Sequence, residues 1–165
     1  MAPDTPFDPR ISIWDTWRQP VLAIGHQLHE RLRETVPVTI HGRELRHDDE
    51  GVGFQFQYML TGDRVGADAH AAFYVLQLQL KKRAPSIRWE IDAIPVIERG
   101  DGSYQLHERR TFSVPLRRHD LLASIVSNDV AADAAAFFDA VVAGRPFTAE
   151  PLTAPGAAAG ETSSR

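Results

Sequence analysis

The sequence predicts an α+β domain: a curved five-stranded antiparallel β-meander with an N-terminal helix and C-terminal helices packed on one face. Three observations predict it. Hydrophobicity alternates every second residue through four long stretches, as where Phe54, Phe56, Tyr58 and Leu60 interleave with Gln55, Gln57 and Met59. Period two is the mark of a half-buried strand. Apolar residues at helical spacing flank those stretches on both sides. The links between the stretches are short and rich in Gly, Asp and Pro, so neighbouring strands are expected to pair in order.

The chain has 165 residues, of which 43% are hydrophobic and 24% charged, which suits one domain built on one core. An N-terminal arm is expected over residues 1–19, the domain over 20–147 and a disordered tail over 148–165. The arm is Pro-rich and carries Ile11, Ile13, Trp14 and Trp17, which need burial over the core or against a partner. Pro20 suits a first helical turn. Val21, Ile24, Leu28 and Leu32 then recur at helical spacing until Pro37 forbids continuation.

A charged edge strand is predicted over 38–46, where His41, Arg43, Glu44 and Arg46 dilute the apolar residues. Asp48, Asp49, Glu50 and Gly51 read as a turn. Strand two is expected over 52–61. A loop rich in Gly and Asp leads to strand three, over 71–82, in which Tyr74, Leu76, Leu78 and Leu80 form one face. Ala84 and Pro85 link it to strand four, over 87–98. Gly100, Asp101 and Gly102 supply a hairpin turn before strand five, over 104–116. Asp120 and Asp129 are expected to cap two successive helices, the second ending at Gly144 and Pro146. Beyond 148 the residues are mainly Ala, Gly, Pro, Ser and Thr, too few of them large and apolar to hold a fold.

Two departures from this pattern mark a candidate site. In strand four Ile87, Trp89 and Ile91 are odd, but Ile94 and Val96 are even, which predicts a β-bulge near Asp92 and Ala93, beside Pro95. In strand five Tyr104, Leu106, Phe112, Val114 and Leu116 define an inward parity that Glu108 and Arg110 share. Folding the hairpin places Glu108 and Arg110 opposite the bulge, so Glu108, Arg110 and Asp92 are the best catalytic candidates. Gln55, Gln57, Gln77, Gln79, Arg88, Glu90, Gln105, His107, Arg109 and Thr111 cover the opposite face, either as a solvated surface or as a flat recognition surface.

The formal net charge of -4 argues against a nucleic-acid binder that relies on phosphate neutralisation. With no cysteine the chain offers no disulfide, thiol nucleophile or Cys-based zinc site. His26, His29 and Glu30 lie within one helical turn, but their spacing matches no zinc-protease signature, and no metal or cofactor is expected. Gly51, Val52 and Gly53 precede a strand rather than a helix and read as a turn. Arg99, Gly100 and Asp101 are what the hairpin itself requires. The common catalytic motifs are missing. The first ten residues lack an export signal, and no apolar run approaches the roughly 20 residues of a membrane span, so a soluble cytoplasmic protein is expected.

The leading functional reading is therefore a non-enzymatic protein-protein interaction module: an adaptor, assembly, chaperone-like or toxin-neutralising protein. Self-association is included. Trp14, Trp17, Arg88, His107 and Arg109 are its partner-binding candidates. The alternative is a binding protein or an enzyme of isomerase, cyclase or hydrolase type, with a pocket for a small hydrophobic ligand between sheet and helices. Tyr58, Tyr74, Trp89 and Phe112 would line that pocket, and Glu108 with Arg110 would act on the ligand.

Overall fold

The computed structural model describes residues 9–47, 51–62, 69–83 and 85–147. The turn expected at Asp48 to Glu50, most of the loop before Ala69, Ala84 and the tail expected over 148–165 lie outside the described residues. The elements run α1 (Pro9–Arg33), β1 (Thr39–His47), β2 (Gly51–Thr61), β3 (Ala69–Arg83), β4 (Ser86–Arg99), β5 (Tyr104–Leu106), β6 (Arg110–Pro115), α2 (His119–Ile125), a π turn (Val126–Val130) and α3 (Ala131–Val142). The fold is α+β, with an antiparallel meander β1-β2-β3-β4-β5 and β6 also paired to β4.

The first helix begins at Pro9, not at Pro20, and the described part of the segment expected as an arm, residues 9–19, is helical. A mid-helix proline removes one hydrogen bond and costs about 3 kcal/mol. Packing outweighs that cost here. Trp14, Val21, Ile24, Leu28 and Leu32 make one buried stripe along α1, and the stripe passes straight through Pro20. At Gly25 the helix lies directly on β2: an added Cβ would collide with the Phe56 ring, and the Tyr58 hydroxyl donates to the Gly25 carbonyl at 2.7 Å. Gly51, Val52 and Gly53, read as a turn, belong to β2, where Gly53 pairs with Leu45 and Gln79.

The expected fifth strand is two strands, and the extra residue sits there rather than in β4. β4 stays in register with β3 from Ala72↔Ile97 to Arg83↔Ser86, so there is no bulge at Asp92 and Ala93. On its other side β4 pairs Val96 with Leu106 and Ala93 with Arg110, which sets His107, Glu108 and Arg109 against only Ile94 and Pro95. Pro95 explains the position. A strand residue's N–H and C=O point to the same side, and the Pro95 carbonyl accepts from His107 N at 2.9 Å. The missing proline N–H therefore faces this neighbour, and the ladder breaks where it has no donor.

The apparent change of phase in β4 has the same resolution. Trp89, Ile91 and Ala93 are fully buried, Pro95 is buried and Ile97 packs on the core, so the inward parity stays odd. Ile94 and Val96 are apolar residues on the other face.

Helices α2 and α3 are not separate. Leu122, Ile125, Val126, Val130, Ala134, Phe137 and Val141 keep helical spacing and are all buried, and the π turn carries the helix across Ser127 and Asn128. Arg31 of α1 donates to the Ser127 carbonyl inside that turn, satisfying a backbone group in the widened stretch. Arg118, not Asp120, occupies the N-cap position, and Asp129 lies within the π turn. The helix His119–Val142 is long and apolar enough to cross a membrane by length and composition, contrary to the expectation from the sequence, but half of its apolar stretch is buried in the fold.

Candidate functional site

The structure separates the three residues expected to form one site. Glu108 lies in the break between β5 and β6 and is exposed, so the parity that would have turned it inward does not reach it. Arg110 does turn inward, and its partner is Asp133 of α3: Nη2 lies 3.3 Å from Oδ1 and Nε 3.4 Å from Oδ2. The Tyr74 hydroxyl donates to Asp133 Oδ2 at 2.6 Å. Both charged residues are at least nine-tenths buried, and Phe147 covers the guanidinium at 6.0 Å. Burial, reinforced by the neighbouring Asp133 carboxylate, pushes the Tyr74 hydroxyl well above its ordinary pKa, so it remains a proton donor in this pair. Such a cluster is satisfied internally and ties α3 to the sheet.

Asp133 was missed by sequence reasoning, although a signal existed. It stands beside Ala134 on the stripe that continues to Phe137 and Val141, and a carboxylate on an apolar stripe needs a buried cation.

Tyr58, Tyr74, Trp89 and Phe112, expected to line an internal pocket, are packed into the core cluster. None lines the cleft beside His107 or the groove beside Arg109. Trp14 is also fully buried, donating its indole N–H to Glu44 at 3.1 Å, and so belongs to the core rather than to an exposed partner surface. Partial burial raises the Glu44 pKa, but hydrogen bonds from Arg46 and Trp14 with the charges of Arg46 and Arg18 more than reverse this and hold it below the usual value. Trp17 is half-buried, stacked on His119 at 4.3 Å and edge-on to Trp89. His107 leaves the expected outer face and lodges between Phe137 and Phe147. It borders a cleft of about 540 Å³ whose rim includes Arg99 and Arg145. The His29 ring meets the Val38 carbonyl at 3.0 Å, and no group of three metal-ligating side chains occurs among the described residues.

The helices cover one face of the sheet, and the register sorts the other face into rows. One row is apolar: Met59, Phe73, Val96 and Leu106 stand opposite one another across β2, β3, β4 and β5. Val75 and Ile94 are paired in the next row. None of these six packs against the core cluster, and Leu106 is 68% exposed. Tyr104, one row further on, is 61% exposed. On the other side of Val75 and Ile94 a polar ladder crosses five strands: Arg43, Gln55, Gln77, Asp92 and Thr111. Arg43 donates to Gln55 Oε1 at 2.9 Å and 3.2 Å, Gln77 to the same oxygen at 3.3 Å, and Thr111 to Asp92 Oδ1 at 2.8 Å.

A groove of about 360 Å³ runs beside this ladder. Its position follows from Gly53. In the row Leu45, Gly53, Gln79 and Glu90, only Gly53 lacks a side chain, which leaves a notch between Leu45 and Gln79. A Cβ at Gly53 would meet the Leu78 carbonyl and the Gln79 backbone, so the notch cannot be filled from below. Leu45, Gln79, Asp92 and Arg109 all line it. Glu90 nearby is shared by Lys81 at 3.3 Å and Arg83 at 2.9 Å. Arg88, the remaining expected contact residue, is held by the Ser113 hydroxyl at 2.9 Å.

No protein-family model matches the chain, and neither a curated protein nor a solved structure matches it.

Proposed function

We propose that this chain is a non-enzymatic protein-interaction module that docks a partner, another protein or a second copy, on the sheet face opposite its helices. The observation that carries this reading is the row Met59, Phe73, Val96 and Leu106, aligned across four strands and directed away from the core. Folding gains little from such a row, because no described element covers it. An aligned apolar strip beside a polar ladder has the composition of an interface: an apolar centre with a hydrogen-bonding flank. The ladder adds specificity, since a partner must satisfy or avoid its fixed amides and charges.

The discriminating variant is Phe73→Arg with Val96→Arg, placed on a face that the core does not use. The wild-type chain, purified gently from its source cells, is expected to sediment as an assembly, with the double variant sedimenting as a monomer of unchanged melting temperature. A wild-type monomer, or an assembly that the double variant leaves intact, would remove this reading.

A further inference from the structure

We propose that the groove above Gly53 is a binding site for a small α-amino carboxylate, with Arg109 and Arg43 taking the carboxylate and Asp92 the ammonium group. Three features support a ligand site. First, Gln79 is only 5% exposed, yet its amide has no hydrogen-bond partner among the described residues. It lines the groove. Its amide atoms keep contact with solvent in the groove, so they are uncommitted to the fold and can hydrogen-bond an occupant. Second, Arg109 reaches the groove from the break beside Pro95, is exposed, and has no hydrogen bond or ion pair among the described residues. Third, the groups around it are already fixed: Gln55 holds the Arg43 guanidinium, and Thr111 holds one oxygen of Asp92, which is 3% exposed.

The charge pattern selects the ligand class. Lys81 also lines the groove but is paired with Glu90, which Arg83 shares, leaving Arg43 and Arg109 against Asp92 as the lining charges without an ion-pair partner among the described residues. Two cations and one buried anion favour a molecule that carries a carboxylate together with a cationic donor. A simple carboxylate would leave Asp92 facing a like charge, and a simple amine would meet two guanidinium groups. The Gln79 amide can donate to the carboxylate or accept from the ammonium. A volume of about 360 Å³ is at the small end of the range for ligand sites, which suits an amino acid. Such a molecule can bind whether or not a protein docks on the apolar rows, so this inference stands apart from the proposed docking.

The test is nuclear magnetic resonance of the full chain, reading the Gln79 side-chain N–H₂ signals while the twenty common amino acids are added singly. At least one is expected to shift those signals saturably. Acetate and methylammonium should each bind at least about tenfold more weakly, since each loses one charge-assisted contact. Arg109→Gln removes no contact that the fold uses and should weaken the same amino acid by a similar factor. Asp92→Asn should reduce the preference for the amino acid over acetate. No saturable shift from any of the twenty would overturn the assignment. So would equal binding by methylammonium, or an affinity that Arg109→Gln leaves unchanged.

Discussion

Alternate residues of a single strand experience opposite fates in this sheet. In β3, Ala72, Tyr74, Leu76, Leu78 and Leu80 are fully buried beneath the helices. Their neighbours Phe73 and Val75 are only half-buried, and Gln77 and Gln79 complete the outer side. Both faces carry large apolar groups, but only the inner one is closed by packing. The inner face therefore holds the fold together, and the outer face carries apolar surface that no described element covers. Even buried charge follows this division. The inner pair, Arg110 and Asp133, is closed upon itself with Tyr74, whereas Asp92 on the outer side is matched by a single hydroxyl and fronts a groove.

The sharpest test of this contrast removes one member of the inner pair. Asp133→Ala leaves the Arg110 guanidinium buried and unpaired and is expected to cost about 3–5 kcal/mol in urea unfolding. Replacing both residues by Met and Leu should recover most of the loss. A loss below about 1 kcal/mol for the single change would mean that the pair is solvated and the inner face less closed than described. Next come substitutions one residue apart on the same strand. Leu76→Ala should cost about 2–5 kcal/mol, and Phe73→Ser no more than about 0.5 kcal/mol. Equal costs would break the comparison. Gly25→Ala pushes a methyl group into the Phe56 ring where α1 meets β2 and should cost about 1–3 kcal/mol, visible as earlier unfolding with unchanged secondary structure.

The smallest effect concerns pH. His107 is held below the ordinary imidazole value of 6.5 by burial and by Arg99 and Arg110. His119 is held below it by burial, against an opposing pull from Asp120. The folded protein thus binds fewer protons than the unfolded chain in this window. The associated stability is complete above about pH 6.5 and declines as pH falls through the depressed values. A melting temperature a few degrees lower at about pH 5 than at about pH 7.5 is expected, with a smaller difference in His107→Gln/His119→Gln. An undiminished difference would show that other groups carry it.

Much of this division was legible in the sequence. Alternation through β2 and β3 assigns Tyr58, Tyr74 and Leu76 to one side and Gln55 and Gln77 to the other, and the structure agrees. The errors arise where a local rule met a tertiary contact. Pro20 reads as a helix start, but Trp14 and Val21 gain enough from the core to carry α1 through it. Ser127 and Asn128 read as a break, but the buried spacing of Val126 and Val130 continues across them. Glu108 and Arg110 share a parity only if the strand is continuous, and Pro95 on the neighbouring strand interrupts it. Pairing across the sheet is invisible to a strand read alone. For the same reason the apolar row through Phe73 and Val96, and the notch at Gly53, emerged only from the register.

The most direct test of docking on the outer face is site-specific photo-crosslinking in the source cells. A benzophenone side chain would replace Phe73 in one strain and Gln27, exposed on α1, in another. A discrete crosslinked product from position 73, identified by mass spectrometry as one protein or a second copy of the chain, is expected, with none from position 27. No product from 73, or the same product from both positions, would contradict the assignment of the outer face as the docking surface.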